Sequence, residues 1–126
     1  MNTIDLAQSG VRELNAQLQG LKEDTNERLW TVLNPKGAHA IAAGLMVPIE
    51  VHIEGHPGYY CAGMNKEATV IVNGHCGVGL AENMMSGEVR VKGNASDAAG
   101  ATGRGGLLVV EGDAGLRCGI SMKGID

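Results

Sequence analysis

From Glu50 onward the chain alternates apolar and polar residues in short runs, and the same run returns at a fixed spacing. Five-residue units that read apolar, any residue, apolar, polar, glycine start 19 residues apart, at Val51, Val70, Val89 and Leu108. Alternation with a period of two is typical of a β-strand with one buried face. No insertion breaks this register, so equivalent residues are predicted to stack as turns of a parallel β-solenoid.

The repeated unit divides the predicted sheet into inward and outward columns. Its first and third positions hold branched apolar residues suited to a packed parallel sheet, namely Val51, Val70, Val89 and Leu108, then Ile53, Val72, Val91 and Val110. The outward fourth position places Lys92 beside Glu111 on adjacent turns, an exposed ion pair worth about 0–1 kcal/mol. The outward second position holds His52, Ile71, Arg90 and Val109. Its two branched apolar members predict that something covers this face.

A corner follows each unit. The closing glycine is predicted to adopt a positive φ at a sharp bend. The side chains that come next are of types that hydrogen-bond local backbone, and they are His56, His75, Asn94 and Asp113. Small residues further along allow a second bend, at Gly58, Gly77, Ser96 and Gly115. We therefore predict a structural role for the histidines of this corner.

The residues before Glu50 predict a short helix. Apolar residues fall on one helical face at Val11, Leu14, Leu18 and Leu21, so a helix is predicted over residues 5–23. Asp5 and Gln8 are predicted to form its capping box. We expect this helix to cover the solenoid's open end or its apolar outer column. The alternative is a helix that reaches a partner subunit.

These patterns divide the chain into two parts. Residues 1–49 form an N-terminal helix and docking segment, and residues 50–126 form a β-helix of about four turns. The first part ends in a strand-like run before Pro35. Trp30, the only tryptophan in the chain, is predicted to anchor the core.

Composition narrows the class of protein. A chain of 126 residues is one domain on length alone. Ten basic against 14 acidic residues give a net charge of −4, which argues against a general nucleic-acid binder. No run of about 18 apolar residues is present, so no membrane span is predicted. The first residues carry neither a basic nor an apolar targeting segment, so a cytoplasmic location is expected.

The three cysteines, Cys61, Cys76 and Cys118, lack the spacing of a metal site. Cys61 and Cys118 are 57 residues apart, which is three turns of 19. At about 4.8 Å per turn they would lie roughly 14 Å apart, too far for a disulfide. Cys76 falls in a different column. Buried free thiols are the expected state.

Three features invite a chemical reading. The loop Gly74-His-Cys-Gly-Val-Gly79 has the order GxxGxG, and the next glycine, Gly87, leaves no room for the helix that a nucleotide-binding loop opens. A hexapeptide acyltransferase with His56 or His75 as base would need 18-residue turns, and the chain keeps 19. An outward column of Lys66, Met85, Arg104 and Lys123 stacks three cations, which solvent or an acidic partner must accommodate.

Five strings stand out beside the repeat, at residues 34–42, 58–65, 81–87, 91–96 and 117–124. In order they read Asn-Pro-Lys-Gly-Ala-His-Ala-Ile-Ala, Gly-Tyr-Tyr-Cys-Ala-Gly-Met-Asn, Ala-Glu-Asn-Met-Met-Ser-Gly, Val-Lys-Gly-Asn-Ala-Ser and Arg-Cys-Gly-Ile-Ser-Met-Lys-Gly. They resemble the GXGXG domain, the right-handed parallel β-helix that closes the large subunit of bacterial glutamate synthase. They are similar to its separate-subunit form, the second subunit of N-methylglutamate synthases (methylamine–glutamate N-methyltransferases). The likeness spans about residues 5–126.

The resemblance implies a mostly β chain and an assembly of three subunits. One partner would be a glutaminase-type amidotransferase, and the other would bind FMN and an iron–sulfur cluster. The solenoid subunit would hold these two together and help to wall the route between their sites. The family places no catalytic residue on this domain, so no catalytic, cofactor-binding or metal residue is assigned to this chain.

Other interpretations stay open. Glutamate synthase itself and formylmethanofuran dehydrogenase have an equivalent domain. A self-sufficient solenoid enzyme or ligand binder would instead use His56 and His75. Members of the family continue for several more turns, so this chain is expected to be either a shortened relative or part of a longer protein. Its open end after Asp126 is expected to be covered by the N-terminal segment, by a partner or by self-association with another copy.

Overall fold

The computed structural model describes residues 2–22, 25–26, 28–77, 79–95, 100 and 103–112. Its six strands and one helix are β1 (Asn2–Asp5), α1 (Val11–Gln19), β2 (Leu29–Leu33), β3 (Glu50–Glu54), β4 (Thr69–Asn73), β5 (Glu88–Val91) and β6 (Leu107–Val110). The strands form one sheet in chain order, and every neighbouring pair is parallel. The predicted mostly β solenoid of about four turns is confirmed.

The register of the sheet follows the sequence repeat. Val70 lies opposite Val51 and Val89, and Val89 lies opposite Leu108, each 19 positions away. The turn before them is longer, because Leu29 lies opposite Glu50, a spacing of 50 − 29 = 21 residues. Val51, Val70 and Val89 are fully buried, as are Ile53, Val72 and Val91. The inward columns are therefore the predicted ones, although their last members, Leu108 and Val110, are only partly buried where they pack against the core.

The outer face of the sheet carries ion pairs along and across its strands. Lys92 Nζ lies 3.1 Å from Glu111 Oε2 on the next turn, as predicted. Arg90 Nε lies 3.1 Å from Glu88 Oε2, two residues earlier on the same strand. His52 Nε2 likewise contacts Glu50 Oε2, two residues earlier on its own strand. The outward column of His52, Ile71, Arg90 and Val109 is half-buried, and its covering by another element stays a prediction.

The returning half of each turn is held in an unusual backbone conformation. Alternate residues have positive φ in three successive turns, at Ala40, Ala42 and Gly44, then Tyr60, Ala62 and Met64, then Gly79, Ala81 and Asn83. Each left-handed residue other than glycine costs roughly 1–2 kcal/mol. Backbone bonds between turns offset that cost, such as Ala62 N–H to the Ile41 carbonyl at 2.9 Å and Ala81 N–H to the Cys61 carbonyl at 2.8 Å.

The N-terminal segment differs in detail from its prediction. Residues 2–5 form β1, which pairs with β2, and the helix begins at Val11 and ends at Gln19. The capping box of Asp5 and Gln8 is wrong, because Gly10 is the N-cap and makes no side-chain bond. Asp5 Oδ1 instead accepts the Ala7 N–H and Asn34 Nδ2, both at 2.8 Å. These bonds to Asn34 and Ala7 lower the pKa of Asp5.

Helix α1 packs on the start of the solenoid, the first of its predicted positions. Leu14 and Leu18 are buried in the same core cluster as Trp30. On the same helix, Asn15 Nδ2 donates to the Ala40 carbonyl at 2.7 Å and Gln19 Nε2 to the Ala43 carbonyl at 2.8 Å. The two side chains donate to backbone carbonyls that a preceding turn of the solenoid would otherwise bond. Helix α1 therefore covers the returning half of the first turn.

The predicted division of the chain at residue 50 stays a prediction. β1 and β2 precede that position, yet they lie in the same sheet as the strands that follow it. None of the helices formed by the described residues is both long and apolar enough to cross a lipid bilayer.

Candidate functional site: the histidine corner

The side chains of the corner column hydrogen-bond the backbone of the following turn. His56 Nδ1 accepts the His75 N–H at 2.8 Å, and His75 Nδ1 accepts the Asn94 N–H at 2.8 Å. The two rings lie parallel, with centroids 5.1 Å apart and an interplanar angle of 11°. The predicted backbone-bonding role of His56 and His75 is confirmed. Asp113, the last member of the column, lies outside the described residues.

This bonding decides what the imidazoles can do chemically. A neutral ring that accepts a hydrogen bond at Nδ1 carries its proton on Nε2. In that state His56 and His75 offer N–H donors to the outside and hold no free lone pair. Acting as a general base or a metal ligand would require a ring to release the backbone N–H or to change its protonation. The geometry thus favours a structural role.

The corner glycines are needed for a different reason from the one predicted. Of the four, only Gly55 has a positive φ, at 130°. A Cβ on Gly74 would lie 2.1 Å from the Gly55 carbonyl oxygen and 2.7 Å from His56 Nδ1, closer than atoms can approach. A Cβ on Gly93 would meet His75 Nδ1 at 2.4 Å, and one on Gly112 would meet Asn94 Oδ1 at 2.0 Å. The glycines leave room for the hydrogen-bonding side chain of the preceding turn.

A groove of about 670 Å³ runs along this corner. It is lined by Lys36 and Glu54 as well as by His56 and His75. Glu54 Oε1 accepts Asn73 Nδ2 at 2.9 Å, so part of its acceptor capacity is used within the sheet. The groove is large enough for a small molecule, and it is the observation that supports a ligand-binding function.

A third histidine, His39, repeats the same bonding pattern at a neighbouring bend. His39 Nδ1 accepts the Tyr59 N–H at 3.0 Å, and the two rings stack with centroids 3.8 Å apart. A Cβ on Gly58 would lie 2.2 Å from His39 Nδ1. In the sequence, this contact is indicated by Gly58, which lies 19 residues after His39.

The loop from Gly74 to Gly79 is a corner of the solenoid. Among the described residues between β4 and β5, none is helical, so the loop does not open the crossover helix of a nucleotide-binding fold. The 19-residue register of the strands likewise differs from the 18-residue turns of hexapeptide acyltransferases. Neither chemistry is supported by the architecture.

Two of the cysteines meet in the core although they belong to different columns of the repeat. Cys61 and Cys76 are buried free thiols, as predicted. A hydrogen bond with Cys76 and burial raise the pKa of the Cys61 thiol, which keeps it protonated and unreactive. Cys118 lies outside the described residues. The 57-residue spacing relates Cys61 to Cys118 within one column, whereas this contact joins two columns of successive turns.

The predicted cationic column is present as far as the described residues extend. Lys66, Met85 and Arg104 are exposed on successive turns, and Lys123 lies outside the described residues. Among the residues that the structure describes, no three histidine, cysteine, aspartate or glutamate side chains are grouped as metal ligands would be.

Comparison with known proteins finds one informative relative. Over 89 residues the chain is 55% identical to Protein GlxC of Rhizobium meliloti (strain 1021). The matched residues are 71% of this chain and 39% of the relative, so the chain spans well under half the length of the protein it matches. No family model matches the chain. No solved structure matches it significantly.

Proposed function

We propose that the chain is a non-catalytic scaffold in a glutamate-synthase-like complex. In this role it holds a glutaminase-type amidotransferase subunit against a subunit that binds FMN and an iron–sulfur cluster. The complex forms N-methylglutamate from glutamate and methylamine. Equivalent subunits of glutamate synthase or of formylmethanofuran dehydrogenase are the nearest alternatives within the same proposal.

The observation that carries the proposal is that the family-like strings within the described residues build the solenoid; the string 117–124 lies outside those residues. In the string 58–65, Cys61 is buried and Asn65 Nδ2 donates to the Ala68 and Ser86 carbonyls, at 2.8 and 3.0 Å. In the string 91–96, the Asn94 N–H is bound by His75. Distinctive residues that hold the backbone together, instead of lining a reactive cleft, suit a chain that positions other subunits.

The location proposed for the complex is the cytoplasm. Cys61 and Cys76 are free thiols in the described core, and free thiols persist in reducing compartments. The flavin and the iron–sulfur cluster belong to the partner in this proposal, and no residue of this chain is assigned to either.

Native isolation of the tagged chain tests the proposal. We expect an amidotransferase and a yellow-brown flavoprotein to co-purify, with mass spectrometry identifying both and the visible spectrum reporting flavin and iron–sulfur absorption. The identity of the flavoprotein distinguishes an N-methylglutamate synthase from the two alternative enzymes. A colourless chain that isolates without either subunit contradicts the proposal.

A second candidate is a solenoid that binds its own ligand in the groove at His56 and His75. The groove of about 670 Å³ is the observation in its favour. Replacing His75 by Asn, the residue that already follows it in the column, separates the two functions. Activity of the isolated complex is expected to survive this change if the chain is a scaffold. Loss of activity in a variant that still folds would favour the ligand binder.

A further inference from the structure

We infer that four exposed residues, Met46, Lys66, Met85 and Arg104, form a docking surface for an acidic patch with an apolar centre on one partner subunit. We call this set the methionine–cation column. The inference rests on the proposed function and deepens it, because it assigns the surface by which the scaffold holds a partner.

The backbone places the four residues one above another. In this sheet, a residue whose N–H donates to a carbonyl on the preceding turn lies opposite the residue that follows that carbonyl. Thr69, for example, donates its N–H to the Ile49 carbonyl and lies opposite Glu50. The same rule sets the column, through three bonds on successive turns: Lys66 N–H to Leu45 at 2.9 Å, Met85 N–H to Asn65 at 2.8 Å and Arg104 N–H to Met84 at 2.7 Å. Met46 therefore pairs with Lys66, Lys66 with Met85, and Met85 with Arg104.

Met46 is missing from the column that the 19-residue repeat predicts. It lies 20 residues before Lys66, because the segment that leads into β3 carries one more residue than its later equivalents. Once Met46 is included, the exposed side chains alternate methionine, cation, methionine, cation. This alternation is visible only in the three-dimensional register.

The two methionines are conspicuously exposed for apolar side chains. Met46 is 60% and Met85 51% accessible, whereas Met84, the neighbour of Met85, is fully buried. Met64, on the adjoining column, is also exposed. Flexible thioether side chains adapt to the shape of a partner, and methionine is enriched where proteins bind one another. Two exposed methionines on one column therefore indicate a binding surface.

The cations of the column differ from those of the sheet. On the sheet, Arg90 is held by Glu88 and Lys92 by Glu111. Within the part of the chain that the structure describes, neither Lys66 nor Arg104 forms an ion pair. Glu67 follows Lys66 directly and forms no ion pair with it. Charges without internal partners are available to an external one.

The spacing specifies the partner's chemistry. Lys66 and Arg104 are two turns apart, or roughly 10 Å at the usual separation of neighbouring strands, with Met85 between them. A complementary surface has two carboxylate groups at about that distance, on either side of an apolar depression. The chain's net charge of −4 disfavours an extended polyanion such as nucleic acid or an anionic membrane. A protein surface with localised acidic groups is the occupant that fits.

The first test uses methionine oxidation by dilute peroxide on the full chain, alone and bound to the purified partner subunits recovered with the native complex. In the free chain Met46 and Met85 are expected to oxidise at least about tenfold faster than Met84, because oxidation requires exposure. In the complex their rates are expected to fall towards that of Met84. Met84 and Met85 are neighbours in one peptide, so each spectrum contains its own control.

The second test compares two charge-matched double variants. Lys66→Gln with Arg104→Gln removes both cations of the column, and Arg12→Gln with Lys22→Gln removes two exposed cations elsewhere, again one arginine and one lysine. The column variant is expected to weaken affinity for one partner subunit about tenfold, equivalent to about 1.4 kcal/mol, and to reduce its salt dependence. The control variant is expected to stay within about twofold of the unmodified chain.

The outcomes separate the inference from the proposed function. Protection of Met46 and Met85 together with weakened binding of the column variant supports the inference. A complex that forms with undiminished affinity in the column variant, and leaves Met46 and Met85 oxidisable, overturns the inference and leaves the scaffold function standing. Failure to bind either subunit overturns both. Protection in the free chain at raised concentration would mean that a second copy occupies the column, which also overturns the inference.

Discussion

At the scale of single residues, one interaction recurs at three bends of the described solenoid. A side-chain acceptor accepts the backbone N–H of the next turn, and a glycine on that turn leaves space for the acceptor. His39, His56 and His75 all act in this way. A Cβ on Gly112 would lie 2.0 Å from Asn94 Oδ1, much as a Cβ on Gly93 would lie 2.4 Å from His75 Nδ1. An amide oxygen and an imidazole nitrogen thus occupy equivalent places in the column.

Gly74→Ala is expected to destabilise the chain strongly. Its Cβ would lie 2.1 Å from the Gly55 carbonyl oxygen, and backbone on both turns would have to move. Overpacking of this kind typically costs about 1–3 kcal/mol. Gly10→Ala is the matched control, because no atom lies within 4 Å of its Cβ position. Urea unfolding measures both, and equal midpoints would show that the turns are not packed this tightly.

His75→Asn is expected to keep the stability of the chain, whereas His75→Ala is expected to lower it. The Asn side chain can still accept the Asn94 N–H, and Ala cannot. A net hydrogen bond contributes about 0.5–1.5 kcal/mol to folding, and the exposed setting here favours the lower part of that range. Thermal melts of the two variants measure the difference. If Asn and Ala lower the melting temperature equally, the column does not depend on side-chain acceptors.

At the scale of elements, the strands and the helix have different structural roles. Strands β2 to β5 alternate a buried column with an outward one, so a single residue step exchanges core for surface. The returning halves of the turns rely on neighbours, because alternate residues there hold left-handed conformations. Helix α1 supplies such a neighbour at the start of the chain through Asn15 and Gln19.

Val72→Asp and Ile71→Asp are expected to differ sharply although they are adjacent on β4. Val72 is fully buried, and a carboxylate there would have no partner, which costs several kcal/mol. Ile71 faces outward between His52 and Arg90, where a carboxylate is solvated and meets a cation. Circular dichroism melts compare the two variants. A Val72→Asp protein that melts with the parent chain would mean that the inward columns are assigned to the wrong face.

Leu14→Ala is expected to loosen helix α1 and to expose Trp30. Leu14 and Trp30 are both buried and line the same cleft beside β1. Removing a buried leucine side chain costs about 2–5 kcal/mol. Trp30 is the only indole, so a red shift of tryptophan emission reports this end alone. Arg12→Ala, on the exposed face of the helix, is the control, and an unshifted spectrum in Leu14→Ala would place the helix elsewhere.

At the scale of the whole molecule, the turns share one continuous core. A single hydrophobic cluster extends from Leu14 in the helix to Ala95 after β5. In a solenoid each turn contacts only its neighbours, so such a cluster is what couples one end to the other. The surfaces then specialise, with ion pairs on the sheet face, hydrogen-bonded histidines at the corner, and methionines with cations on the docking column.

This continuity predicts that the full chain unfolds in one cooperative transition. Emission of Trp30 reports the N-terminal end, and far-ultraviolet circular dichroism reports all strands. The two melting curves are expected to coincide, as they do for small two-state domains. An earlier transition in fluorescence would show that α1 and β1 separate before the later turns.

Much of the fold could be predicted because it is periodic. The 19-residue recurrence of Val51, Val70 and Val89 sets strand position, inward face and register together, since a slip of one residue would expose every buried valine. The pair Lys92–Glu111 and the roles of His56 and His75 follow from the same arithmetic. β1 could not be found this way, because it lies outside the repeat and pairs with β2 across 28 residues, as Asn2 with Trp30.

The sequence by itself thus determined the architecture and the composition of each column, because both depend on local spacing. Only the tertiary structure decided which residues meet across unequal turns. It set Met46 above Lys66 and brought Cys61 to Cys76. It also showed that the glycine at position 74 leaves room for His56 and does not serve a positive φ. Contacts of this kind depend on distances between turns, which no spacing along the chain specifies.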